Sequence, residues 1–290
     1  MGTKKQHYVP QAYLENFTVT EQIWVYNRVN RKIYKSNIRD TCEKNHLYET
    51  EWENSPNDNK FVQYNAIENT FSDAEGRYAD ILKKVISICN NNDNRNAIIL
   101  RSSEKKALAN LISNLFVRNP VILDVFMDGI GDTKEISELM PYKELFNALG
   151  VSESEPFFLA AYKNTITFEE IEGSWPNIIK NCILDMYVYI LKCPDGLEFV
   201  TASFPIRYTT KDLQRDEFIL NSLYVPITPC FALLYLDKKV PGRTNKIFEI
   251  QEKMVNNLNL DYLKFDLNRS YLILSHNKEL LEELKNKELE

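Results

Sequence analysis

Met186-Tyr187-Val188-Tyr189-Ile190-Leu191-Lys192-Cys193-Pro194-Asp195-Gly196-Leu197-Glu198-Phe199-Val200-Thr201-Ala202 is the stretch that decides the fold. Two runs rich in β-branched and aromatic residues, 186–192 and 198–202, flank a Pro-Asp-Gly turn, the pattern of neighbouring strands. Leu223 to Val225 and Phe231 to Leu236 repeat it, and Tyr271 to Ser275 supplies a last strand. Upstream the period lengthens to that of a helix. Ile67, Phe71, Ala74, Tyr78, Ile81, Leu82 and Val85 form one stripe between Phe61 and Cys89. A second long helix opens at Ser102 or Ser103 and carries Leu108, Leu111, Ile112, Leu115 and Phe116, with Pro120 predicting a kink or break just after Arg118. Further helices are expected around 134–148 and 154–163, from Ser174-Trp175-Pro176, near 247–258 and from Lys278.

At the other end of the chain, residues 8–17 read as a short helix with Pro10 in its first turn. Ile23 to Tyr26 and Ile33-Tyr34 flank Asn30-Arg31 as a β-hairpin, residues 36–59 are mostly polar, and Asn90 to Asn96 reads as a linker. Helices gathered in the middle with strands at both ends predict an α+β fold: an N-terminal β-hairpin, a helical middle and a mainly antiparallel C-terminal sheet. The 290 residues, 44% apolar, suffice for one domain over 1–290. Composition subdivides it into a basic N-terminal hairpin module (1–60), a helical region (61–183) and a sheet-rich region (184–290).

No run approaches the roughly 18 apolar residues of a membrane span, and the N-terminus lacks the apolar stretch of a signal peptide, so the expectation is a cytoplasmic protein with no membrane partner. The five cysteines, Cys42, Cys89, Cys182, Cys193 and Cys230, are scattered and never in a CxxC pair; they read as small buried hydrophobes. The net charge of -6 opposes indiscriminate nucleic-acid binding. Residues 1–39 nevertheless carry Lys4, Lys5, Arg28, Arg31, Lys32, Lys35 and Arg39 against Glu15 and Glu21, a surplus of +5 on an otherwise acidic chain. Such a segment either meets phosphate or docks on its own acidic body.

The common catalytic signatures are absent: Gly129-Ile130-Gly131 lacks the third glycine of a dinucleotide fingerprint, and Walker A, HExxH, GxSxG and EF-hand patterns do not occur. With three histidines, a metal site of several imidazoles is not expected. His7, beside Lys4 and Lys5, suits a general acid or base, or else buttresses the first helix. His46 reads as a loop residue and His276 as the end of a strand. Arg118 is the sharper anomaly, because it closes the apolar stripe of its helix and a guanidinium there needs a carboxylate or an anionic ligand. Glu68 and Glu75, seven apart and flanking Phe71, share one face of the preceding helix. They are either ion-pair partners of Arg118 or a general base and ligands for a divalent metal ion.

Several segments together resemble one bacterial family, domain of unknown function 4238. The resemblance begins with His7-Tyr8-Val9-Pro10-Gln11-Ala12-Tyr13-Leu14-Glu15-Asn16-Phe17 and continues through Trp24-Val25-Tyr26 and the helix of Glu68 and Glu75. It then runs through Phe116-Val117-Arg118-Asn119-Pro120, Phe199 to Pro205, and Pro226-Ile227-Thr228-Pro229. The resemblance implies no activity. Where members of that family usually have Ser-Asp, this chain has Ala202-Ser203, so an aspartate that either serves catalysis or caps a turn is replaced by Ser203.

The expected function is a nucleic-acid-directed phosphodiester hydrolase, a toxin or antiphage effector. In it His7, Glu68, Glu75 and Arg118 are catalytic, Lys5, Tyr8, Tyr13 and Ser203 bind substrate, and a divalent ion sits on Glu68 or Glu75. Two alternatives stand beside it. One is a non-catalytic module that contacts a protein partner through an exposed aromatic surface around Tyr8, Tyr13 and Trp24. The other is an enzyme acting on a small nucleotide or phosphorylated ligand.

Overall fold

The computed structural model describes residues 4–53, 60–91, 100–128, 154–168, 172, 174–210, 220–241, 246–264 and 271–289. Gly129-Ile130-Gly131, the helix expected at 134–148 and the Asn54 to Asn59 loop lie outside the described residues. The fold is α+β. Strands β1 (Lys5–His7), β2 (Gln22–Asn27), β3 (Lys32–Asn37) and β4 (Glu43–Asn45) occupy the N-terminal part with a short helix α1 (Gln11–Leu14). The middle is helical: α2 (Ala66–Asn91), α3 (Ser102–Val117), α4 (Pro120–Asp128), α5 (Ser154–Thr167) and α6 (Trp175–Leu184). Then come β5 (Tyr187–Lys192), β6 (Thr201–Ala202), β7 (Arg207–Thr210), β8 (Leu220–Pro226), β9 (Phe231–Leu236), β10 (Ile247–Glu249), α7 (Glu252–Lys264), β11 (Leu272–Ser275) and α8 (Lys278–Leu289). Among the described residues no helix is long and apolar enough to cross a membrane.

The strands form three sheets, ordered β1-β4, β3-β2-β11-β6 and β10-β5-β9-β8-β7, antiparallel throughout except where β10 runs parallel to β5. The hairpin turn forms where Asn30-Arg31 predicts it, with Arg31 at φ 57°. That hairpin pairs with β11 near the end of the chain, Tyr26 facing Ile273, so the first and last strands of the second sheet's centre hold one another. The largest core cluster lies beneath α2, α3 and α6, and includes Leu82, Val85, Leu108, Ile112, Ile179, Ile190, Leu223 and Leu233. A second gathers Tyr26 and Ile273, Tyr224 and Ala232, Val255 and Tyr262, and Leu281, from both larger sheets and the last two helices.

Several expectations shift. The first helix is only one turn, continued by a 3-10 turn over Glu15–Phe17, because Pro10 keeps an extended ψ of 138° and the Tyr8 N–H is already taken by the Cys42 carbonyl. The strand expected over 198–202 shrinks to Thr201–Ala202, since the Phe199 and Val200 N–H groups bond the Pro229 carbonyl and the Asn259 side chain instead. The helix expected near 247 starts at Glu252, after Ile247–Glu249 adds an edge strand. The break at Pro120 is sharp. Asn119 Oδ1 accepts the N–H groups of Val121 and Ile122 at 3.0 and 3.4 Å, capping α4 so that Arg118 and Asn119 form the joint between two helices.

Candidate functional site

Among the described residues Arg118 is the largest side chain with no solvent exposure. It sits at the end of α3, and its guanidinium stacks on the Phe71 ring with 3.8 Å to the centroid. Nη1 donates to Glu75 Oε1 at 2.7 Å, while Nε and Nη2 have no hydrogen-bond partner among the described residues. The geometry follows from α2. Residues 68, 71 and 75 recur at helical spacing, so one face presents a carboxylate, an aromatic platform and a second carboxylate to the end of α3. Burial acts to lower the arginine's pKa, but the charge of Glu75 and the bond to it outweigh this and the net shift is upward.

Glu68 has the opposite environment. Burial pushes its carboxyl up to about 7, the Arg118 charge opposes this, and the charges of Glu75 and Glu49 add to it. Its Oε2 is buried without a hydrogen-bond partner among the described residues. Near neutral pH the group is therefore divided between acid and carboxylate, the condition of a general acid or base.

His7 reaches the same cluster from β1, whose pairing with β4 sets His7 opposite Glu43. Burial lowers the imidazole pKa, with the Glu75 charge and the Arg39 carbonyl opposing. Nε2 lies 3.2 Å from the Arg39 carbonyl, which only accepts. Nε2 therefore carries the proton in that bond and Nδ1 is left as the base, near the Gln11 amide at 3.5 Å. The backbone of His7 is fixed too, since Tyr48 Oη donates to its carbonyl at 3.0 Å. Tyr48 packs edge-on to Phe71 and so joins the imidazole strand to the arginine platform.

Beside this group lies a polar net that the polar composition of 36–59 concealed. Gln6 Nε2 donates to Glu49 Oε1 at 2.6 Å and to Asn65 Oδ1 at 3.1 Å, the Asn65 N–H also bonds Glu49 Oε1, and the Lys163 ammonium donates to the Glu49 carbonyl. Burial lowers the Lys163 pKa against the pull of Glu49. Asn65 holds φ 58°, a conformation asparagine tolerates better than most residues. Tyr48 and Glu49, with Gln6, Asn65 and Lys163, are the members that sequence reasoning missed. The one trace of them is an apolar pair, Leu47-Tyr48, inside an otherwise polar run.

The other residues singled out from the sequence lie apart. Tyr13 is fully enclosed; its hydroxyl donates to the Pro226 carbonyl at 2.6 Å and meets Thr201 Oγ1 at 2.8 Å. Tyr8 is enclosed as well, its hydroxyl bonded to that of Tyr271. Neither belongs to an exposed aromatic surface, because both are drawn into the main core by the short α1; Trp24 alone of the three stays partly accessible, beside Lys35 and Lys278. Ser203 is buried, and its Oγ accepts the Leu272 N–H at 3.1 Å, the bond a turn-capping aspartate would make. Its carbonyl lies 3.5 Å from Asn119 Nδ2, behind the Arg118 joint. Lys5 is exposed and spans Asp40 and Glu43 at 2.6 and 3.3 Å. Arg28 is buried against Glu288 and the Tyr262 and Leu263 carbonyls. Part of the N-terminal positive surplus is thus spent within the molecule. His46 packs at a tilt against Phe61 with 4.9 Å between ring centroids, and His276 pairs with Glu198 at 3.1 Å.

Among the described residues no group of three or more His, Cys, Asp and Glu side chains is set to hold a metal ion. The arrangement offers a cation fixed on an aromatic face, a carboxyl that titrates near neutrality and an imidazole whose Nδ1 lies beside the Gln11 amide. Tyr13 lies apart from it, within the main core. Tyr13→Phe is expected to lower stability by about 1 kcal/mol, because the Pro226 carbonyl and Thr201 hydroxyl lose a buried partner. Equilibrium urea unfolding measures this, and a variant as stable as the parent would show that both groups find other partners.

The family model described as Protein of unknown function (DUF4238) matches residues 5–271 of the 290. No curated protein and no solved structure matches the chain.

Proposed function

We propose, for a chain that belongs to the family Protein of unknown function (DUF4238), a phosphodiester hydrolase directed at nucleic acid. The observation that carries this reading is Arg118. It is a buried guanidinium held at one nitrogen by Glu75, with two further nitrogens unengaged by the described residues, in a cluster with Glu68 and His7. Such a fork suits a phosphoryl group in which negative charge builds up. His7 Nδ1 takes a proton from the attacking water as the new P–O bond forms, and protonated Glu68 gives its proton to the departing oxygen as the old P–O bond breaks. Arg118 bears the charge of the five-coordinate phosphorus between them. Glu75 holds Arg118 in place, and Tyr48 holds His7.

A second reading, a small nucleotide or phosphorylated ligand as substrate, is favoured by the depth of Arg118 and by the internal pairing of Lys5 and Arg28. One experiment separates the two. The full chain is incubated with single-stranded DNA, duplex DNA, total RNA including tRNA, and mononucleotides, with and without magnesium or manganese, beside His7→Ala and Glu68→Gln. Cleavage of a polymer, reduced at least about 100-fold in both variants, is expected. Turnover confined to mononucleotides would move the assignment to the second reading, and intact substrates throughout would sink both.

A further inference from the structure

We infer that Cys193 and Cys230 form a two-thiol redox site, closed to an intramolecular disulfide by a low-molecular-weight disulfide. The sequence spaces these cysteines far apart and gives no pairing motif, but the register of the sheet brings them face to face. β5 and β9 pair antiparallel with Tyr187 opposite Leu236 and Lys192 opposite Phe231. The next step of the same register sets Cys193 opposite Cys230, and the Cys193 N–H donates to the Cys230 carbonyl at 2.9 Å. Opposed residues of an antiparallel pair point to the same face with their Cα atoms roughly 4.5–5.5 Å apart, inside the Cα span a disulfide bridges. The two thiols also act on one another electrostatically. Just past Cys230's position the ladder opens, because the Cys230 N–H turns to Thr228 Oγ1, which gives the pair freedom to adjust its torsions.

The two thiols differ in access, which sets the order of events. Cys193 is buried and Cys230 is exposed, contrary to the reading of all five cysteines as buried hydrophobes; the tight Thr228-Pro229-Cys230 turn lifts Cys230 out of the sheet. Burial and the Glu198 charge raise the pKa of both, with Lys192 opposing at Cys230. The carboxylates of Asp195 and Glu198 thus stand on the side of the protonated thiols, and His276 is tied to Glu198. Thiolates disfavoured on balance make the disulfide, once formed, a weak oxidant that persists. In the reaction Cys230 loses its proton and its thiolate attacks one sulfur of the small disulfide, releasing a thiolate that takes up that proton. Cys193, deprotonated in turn, attacks the Cys230 sulfur, forms the intramolecular S–S bond and expels the second small thiol with the second proton. Two electrons pass from the protein thiols to the reagent.

The full chain is fully reduced, treated with oxidised glutathione, blocked by alkylation and mapped by peptide mass without reductant. The expected product is a Cys193 peptide linked to a Cys230 peptide. Cys193→Ser should instead accumulate a stable glutathione adduct on Cys230, and Cys230→Ser should leave Cys193 free to be alkylated after denaturation. Alkylation of both cysteines in the wild type would overturn the proposal. So would a lasting glutathione adduct on wild-type Cys230, or a link that appears only when the chain is first unfolded in urea.

Discussion

Replacing Arg118 with methionine is expected to destabilise the fold by about 3–5 kcal/mol, as measured by urea unfolding at pH 7. Methionine keeps most of the volume against Phe71, so the loss reports on charge more than on packing. Without the guanidinium, Glu75 loses its 2.7 Å partner and Glu68 loses the charge that holds its carboxyl near 7 rather than higher. Glu75 keeps some access to solvent, its side chain being 25% exposed, and that places the effect toward the lower end of the range. The companion variant is Glu75→Gln with Arg118→Met. It removes both charges and should recover part of the loss, because replacing both members of a buried pair is far less costly than orphaning one. A single variant within about 1 kcal/mol of the parent would mean that the carboxylates simply relax into water. Activity would then be the only reason for Arg118 to be an arginine.

How much of this cluster could be read beforehand follows from the range of the interactions that build it. Arg118, Glu68 and Glu75 lie on two long helices whose apolar stripes fix which residues face inward, so periodicity alone places the three on facing surfaces. His7 and Tyr48 come from elsewhere. Their positions depend on β1 pairing with β4, two three-residue strands reading Lys5-Gln6-His7 and Glu43-Lys44-Asn45, which have no apolar alternation to announce a register. The same reason hid the Gln6–Glu49–Asn65 net, polar groups bonded to one another from three separate segments, of which only Glu49 falls in the polar run 36–59. Tyr8 and Tyr13 misled for a different reason. Tyrosine carries an apolar ring and a polar tip, and whether it faces water or core depends on whether a buried acceptor awaits the hydroxyl, as the Pro226 carbonyl does for Tyr13. The α+β arrangement was legible because it needs only the change of period at Met186. The junction of the N-terminal hairpin with β11 was not, since pairing across almost the whole chain leaves no local trace.

Glu68 should make the fold less stable as pH rises from about 4.5 to 7, against the direction usual for carboxylates. Its carboxyl is pushed from 4.5 up to about 7 in the folded chain, chiefly by burial. Between those values the folded state holds a proton that the unfolded state has released, so folding is favoured by acid across the window. The contribution is fully present below pH 4.5 and is lost as pH passes 7. The shift corresponds to about 2 kcal/mol once its partial contact with solvent is discounted. Glutamine mimics the protonated acid at every pH. Glu68→Gln should therefore match the parent near pH 4.5 and exceed it by about 2 kcal/mol at pH 8, measured as the difference between urea unfolding curves at the two pH values. Equal stabilities at pH 8 would show that Glu68 ionises as an ordinary surface carboxylate, and its place as the proton donor would fall with that result. A stabilised Glu68→Gln that has also lost cleavage would separate the two roles of the position, since a loss of activity in a more stable protein cannot be attributed to unfolding.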